Sequence, residues 1–185
     1  MRIIAGKYRS RLIRSPRVEG VRPTKDRIRE ALFNIIREYI EGRDVLDLFA
    51  GSGAFGIEAI SRGANKAVFV DSQRECIKAI EGNLNMLEVE KDRFGIIKMD
   101  VFKAVDSLIG AGKKFDIILM DPPYYKEMAK KCLIKLSERD ILNPRCVIMA
   151  EHHKKDILPQ EIGGITSYRS ACYGDICLTF YKSKE

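Results

Sequence analysis

From position 43 the sequence repeats one pattern. Short apolar runs, DVLDLF, AVFVD, FGIIKMD, FDIILMD and RCVIMAEH, alternate with helical or mixed segments at 54–62, 73–87, 101–110 and 124–139. Runs this continuous have no polar face, so each strand needs cover on both sides, and the intervening helices supply it. The prediction is an α/β fold built on a mostly parallel sheet. The last segments break the pattern. ITSYRSACYG and DICLTFYK adjoin with no helix between them, which predicts an antiparallel hairpin closing the sheet edge. A chain of 185 residues fits one domain with an extension: residues 1–23 as a basic hairpin arm and linker, and 24–185 as the main domain. Within the latter, TKDRIREALFNIIREYI reads as a helix capped by Thr24, with Ile28, Leu32, Ile35, Ile36 and Tyr39 on its buried face.

Directly after the first strand stands D47-L-F-A-G51-S-G53-A-F-G56, a G-x-G-x-x-G pattern between a strand and a helix. Glycines here let the backbone turn tightly and approach a ligand, and the helix N-terminus behind them favours a polar or anionic group. Asp71 ends the second strand twenty residues after Gly51, where a carboxylate can accept both hydroxyls of a ribose. Capping the next helix is its alternative role, one that Ser72 could fill instead. Asp100 ends the third strand, placed either to accept from an adenine amine while Val101 or Phe102 packs on the ring, or to cap the helix that follows. With Asp121, these acids sit at three consecutive strand ends, on the edge where open α/β sheets bind ligands.

The fourth strand ends in FDIILMDPPYY. Pro122 and Pro123 have no N–H and a fixed φ, so the ladder must stop and a stiff loop begins, carrying a carboxylate, carbonyls and an aromatic face. A nicotinamide oxidoreductase would share the glycine loop and the ribose acid. It would not call for Asp47 four residues before the first glycine, or for this loop. An adenosyl cofactor and group transfer fit both.

The net charge of +7 is concentrated in the first 29 residues, which hold ten Lys or Arg against two acids and leave the remainder near neutral. A basic appendage suits a polyanion, and Ile3, Ile4, Leu12 and Ile13 flanking AGKYRS predict an ordered hairpin rather than a solvated tail. Five cysteines without a C-x-x-C pair predict reduced, buried thiols and no zinc site. His152 and His153, adjacent on a strand, point to opposite faces and make no natural ligand pair, so a structural or exposed role is expected. No apolar run is long enough to span a bilayer and no signal peptide is visible, so a cytoplasmic protein is expected.

Taken together, R22-P-T-K-D-R-I-R-E-A-L-F-N34, DLFAGSGAFGIEAISRGA, VFVD, KMDVFKA, FDIILMDPPY and YGDICLTFY resemble, in order and along nearly the whole chain, the bacterial family that methylates N2 of a guanine in small-subunit (16S) ribosomal RNA. These are S-adenosylmethionine-dependent enzymes of the Rossmann-like class I methyltransferase fold. The resemblance implies a cofactor set of Asp47, Ala50, Gly51, Gly53, Asp71, Ser72, Asp100 and Val101. Asp47 and the glycine loop would hold the methionine part, Asp71 the ribose and Asp100 the adenine. It implies that Asp121, Pro122, Pro123 and Tyr124 hold the target amine. Such an amine is a poor nucleophile because its lone pair is delocalised; Asp121 and the Pro122 carbonyl accept its hydrogens and stabilise the charge that develops, while Tyr124 stacks on the base. It further implies that Arg2, Lys7, Arg9, Arg11 and Arg14 grip RNA and that Asn34 borders the pocket. No metal is implied, and a monomer acting on ribosomal RNA or an assembling small subunit is expected. Similar loops serve adenine N6 of DNA and glutamine amides of proteins, and an RNA-binding protein with a vestigial cofactor fold would carry the same arm.

Overall fold

The computed structural model describes residues 1–16, 26–124, 127–138 and 140–184. The apolar runs form β1 (Asp44–Leu48), β2 (Lys66–Asp71), β3 (Phe94–Lys98), β4 (Phe115–Met120) and β5 (Leu142–His153). Between them lie α2 (Ala54–Ser61), α3 (Arg74–Met86), α4 (Val101–Gly110) and α5 (Met128–Ser137), and α1 (Asp26–Ile35) precedes β1. α1 is shorter than its periodic pattern: past the β-branched pair Ile35–Ile36, which weakens helix propagation, the chain continues as a 3-10 turn over Arg37–Tyr39. Thr24 and the 21–23 linker lie outside the described residues.

One sheet of eight strands runs in the order β3-β2-β1-β4-β5-β8-β7-β6, with β6 (Glu161–Ile162), β7 (Ile165–Tyr173) and β8 (Ile176–Ser183) completing it. β1 to β5 are parallel, and β8 is antiparallel to both β5 and β7. The hairpin closes the β5 edge of the sheet, as expected. Its second strand inserts beside β5, burying Leu178, Phe180 and Tyr181 completely, and leaves β7 and the two-residue β6 outside.

Strand alternation divides the core in two. Val45, Phe69, Ile117, Leu119, Met149 and Phe180 face one cluster with Leu32 and Phe33 of α1, Ile57 of α2 and Ile80 of α3. Leu46, Leu48, Val70, Ile118, Met120 and Ile148 face the other, with Val105 of α4 and Leu133 of α5. Double cover explains why the strand sequences are apolar without interruption. The cysteine expectation is corrected in one place: Cys172 and Cys177 stand opposite each other across β7 and β8 and form a disulfide, while Cys76, Cys132 and Cys146 are buried free thiols.

The strand order decides where a ligand can enter. After β1 the chain winds outward to β2 and β3, then crosses back to β4, which pairs with β1 on its other side through Leu48 opposite Met120. The loops leaving β1 and β4 thus diverge from adjacent strands, the topological switch point at which such sheets open a crevice.

Candidate active site

The glycine loop and the DPPY loop leave those two strands and face a common cleft of about 490 Å³, within the usual range for a small-molecule site. The cleft is lined by Ala50, Gly51, Asp71, Ser72, Asp100, Val101 and all four residues from Asp121 to Tyr124. The loop turns through left-handed backbone at Gly51 (φ 55°) and Gly53 (φ 77°), and Gly53 N–H donates to the Ala50 carbonyl at 2.7 Å. A Cβ at Gly56 would stand 2.3 Å from the Phe69 ring, so this glycine lets α2 seat against β2.

Each acid has a definite task in the fold. Asp71 accepts from Gly51 N–H through Oδ2 and from Gln73 N–H through Oδ1, both at 2.9 Å, tying the glycine loop to the start of α3. Asp100 caps α4, its Oδ1 accepting from Phe102 N–H at 3.1 Å and Lys103 N–H at 3.3 Å. Neither task excludes a ligand, since both acids line the cleft and a carboxylate has about four lone-pair sites.

Asp47 is different. It is buried beneath the loop, accepting from Gly56 N–H at 2.9 Å, and neither it nor Gly53 is among the described residues lining the cleft. Burial pushes its carboxyl up to about 8, with the Gly56 N–H opposing and the Asp71 charge adding to the rise. As pH climbs from about 4 to about 8 the unfolded chain ionises at Asp47 while the folded one keeps its proton, so this group lowers stability across that window. Asp47→Asn keeps an acceptor for Gly56 and cannot ionise. Thermal melts at pH 5 and pH 8 should show a smaller loss in the variant than in the wild type; parallel losses would contradict it.

Asp121 is half-buried, Pro122 buried and Tyr124 half-buried. Behind them stands Glu151 of β5, a residue the sequence reading passed over. It is 1% exposed, and its Oε1 accepts from the Tyr124 hydroxyl at 2.7 Å. Burial raises its carboxyl, while hydrogen bonding to Tyr124 and Asp121 works in the opposite direction. An acid inside VIMAEHH was the available signal, since a carboxylate rarely sits in a covered strand without a partner. The two histidines that follow are buried and structural: His152 Nε2 lies 2.9 Å from Thr179 Oγ1, and His153 Nδ1 accepts from Lys155 N–H at 3.1 Å. Among the described residues no cluster suits a metal ion.

The N-terminal segment is a compact turn laid against the domain. Arg2 and Leu12 form an antiparallel bridge, and Ile3, Tyr8 and Ile13 enter the core shared with α1, α2 and α3. Glu58 of α2 accepts from the N–H groups of Ile4 (2.9 Å) and Ala5 (3.0 Å), and Asn83 of α3 bonds both the N–H and the carbonyl of Arg14. Arg2, Lys7, Arg9, Arg11 and Arg14 are all left exposed on its outer side. Lys7 pairs with Glu90 at 2.9 Å, and Arg11 reaches the Met86 carbonyl at 3.0 Å. Met1, Ser15 and Pro16 line the cleft, so this basic surface adjoins it. Asn34 is exposed on α1 and is not among the described residues lining the cleft.

Comparison with known proteins gives a consistent picture. The family described as conserved hypothetical protein 95 matches residues 1–182. The ribosomal RNA small subunit methyltransferase D of Haemophilus influenzae is 33% identical over 91% of this chain and 92% of its own. A conserved hypothetical protein of Streptococcus pyogenes, 36% identical, superposes with a TM-score of 0.77 over 84% of this chain and 95% of that one. An RNA methyltransferase from Salinibacter ruber in complex with S-adenosyl-L-homocysteine shares the fold alone, at 15% identity and a TM-score of 0.67 over 89% of this chain and 95% of that one.

Proposed function

Since the chain belongs to the family of the ribosomal RNA small subunit methyltransferase D proteins and is an S-adenosylmethionine-dependent ribosomal RNA methyltransferase, we propose that its target is the exocyclic N2 amine of a guanine. The observation that carries this reading is the meeting of the glycine loop and the DPPY loop across one cleft, at the ends of neighbouring strands. The cleft suits the cofactor: glycine backbone and Ala50 form one wall, and Asp71, Ser72, Asp100 and Val101, which line it as well, would hold the ribose and adenine. When bound, it supplies an electrophilic methyl group. Asp47 shapes the cradle from beneath by fixing Gly56.

The chain's own contribution is to hold and activate the amine. Asp121 and the Pro122 carbonyl accept its hydrogens and steady the positive charge that grows on nitrogen, and the prolines keep these acceptors in place beforehand. The Tyr124 ring, anchored through its hydroxyl to Glu151, offers a flat surface for a base taken out of its stack. The exposed cations of residues 1–14 grip the RNA backbone beside the cleft, and a monomer working on an assembling small subunit in the cytoplasm suits a reader of RNA shape. Labelled methyl groups should pass from S-adenosylmethionine to unmodified ribosomal RNA or small subunits and not to DNA or protein. Label entering DNA adenine or protein glutamine would refute the reading.

Neutralising Arg9, Arg11 and Arg14 together should weaken RNA binding and flatten its salt dependence, by about 0.7 to 0.9 in the log–log slope for each phosphate no longer neutralised. An unchanged slope would mean that this surface does not touch the backbone.

A further inference from the structure

A DPPY loop explains how an amine is held but not which amine. Adenine, cytosine and a carboxamide each offer an amine beside an acceptor: N1, N3 and the carbonyl oxygen, respectively. Guanine alone sets its N2 amine beside a second donor, the N1–H. A site that selects guanine therefore needs two adjacent acceptors, of which Asp121 is one.

The structure contains the second. Glu151 is 1% exposed and lines the same cleft as Asp121, and a hydrogen bond links the two carboxyls, so the pair shares one proton. Glu151 Oε1 accepts from the Tyr124 hydroxyl, and its Oε2 is buried with no N–H or hydroxyl donor among the described residues, so the proton shared with Asp121 is the donor left to it. Glu151 also stands at a junction. It lines the 490 Å³ cleft and a second cavity of about 350 Å³, and the two cavities share Pro122, Pro123, Tyr124 and Met128 as well. Two buried carboxyls with one proton between them have acceptors in excess, and a base edge bringing two N–H groups can take that proton's place, the proton leaving to solvent.

We propose that Glu151 reads the base: its carboxylate accepts the N1–H of a guanine whose N2 amine lies at Asp121, and the two acids together match the paired donors of that edge. The inference rests on the guanine-N2 reading. It gives Glu151 a role beyond anchoring Tyr124, and it supplies the base discrimination that the DPPY tetrapeptide lacks.

The test uses small subunits reconstituted with either guanine or 2-aminopurine at the nucleotide that the wild type methylates. Both bases carry the 2-amino group, but N1 of 2-aminopurine is an acceptor. The wild type should methylate guanine about ten-fold faster or more, and in the presence of S-adenosylhomocysteine bind it correspondingly more tightly. Glu151→Gln, whose amide can donate to N1, should be slower on guanine and bring the ratio towards one. Tyr124→Phe removes only the hydroxyl and should leave the ratio high. A wild type that accepts both bases equally overturns the inference without recourse to any variant, as does an unchanged ratio in Glu151→Gln. If the wild type yields no N2-methylguanosine, the guanine reading fails and the inference falls with it; N2-methylguanosine with an unaltered ratio removes the inference alone.

Discussion

Asp121→Ala should reduce methyl transfer by roughly two to three orders of magnitude while S-adenosylhomocysteine binds within about two-fold of its wild-type affinity, as expected when a charge-stabilising group is removed from a reacting centre. The separation follows from position. Asp121 leaves β4, while the glycine loop, Asp71 and Asp100 follow β1, β2 and β3 and hold their own hydrogen bonds without it. Single-turnover transfer and calorimetric titration with S-adenosylhomocysteine measure the two quantities independently. Parallel loss of both would mean that Asp121 supports the cofactor cradle and not the amine.

Glu58→Ala should be severely destabilising, at roughly 3 to 5 kcal/mol, and should lower the melting temperature by about 6 to 20 °C. Glu58 is 1% exposed and gathers Ile4 N–H, Ala5 N–H, Arg62 Nε at 2.8 Å and Arg29 Nε at 3.8 Å. Arg29 is wholly buried, and its Nε and Nη1 have no hydrogen-bond partner among the described residues, so attraction to Glu58 is a main compensation for removing its charge from water. The variant would strand that charge and release the N-terminal turn, so RNA affinity should fall as well. A melting temperature within 2 °C of wild type, by differential scanning calorimetry, would contradict this account of the network; the threshold is about 0.5 to 1 kcal/mol for a chain of this size.

The parts of the fold that were legible in the sequence are those written locally. Continuous apolar strands, the glycines after β1 and the prolines after β4 each declare themselves within a dozen residues, whereas right-handed crossovers narrow the strand order without fixing it. Long-range partnerships were not legible. Nothing near Glu58 says that it will fasten Ile4 and Ala5, and nothing near Glu151 names Tyr124, because each contact joins segments dozens of residues apart. Cys172 and Cys177 are close in sequence, yet pairing them requires knowing that the turn at Gly174 sets them in register. Asp47 shows a subtler limit: its spacing from the glycines marks the loop correctly, but only packing reveals that the carboxyl points beneath it towards Gly56.

The most direct test of the central claim is the identity of the methylated nucleoside. Unmodified small-subunit ribosomal RNA, naked or partly assembled, would be incubated with the enzyme and labelled S-adenosylmethionine, digested to nucleosides and resolved by chromatography against standards. The account predicts label in N2-methylguanosine, abolished in Asp121→Ala. Label in N6-methyladenosine, N4-methylcytidine or a ring-nitrogen isomer of methylguanosine would contradict it.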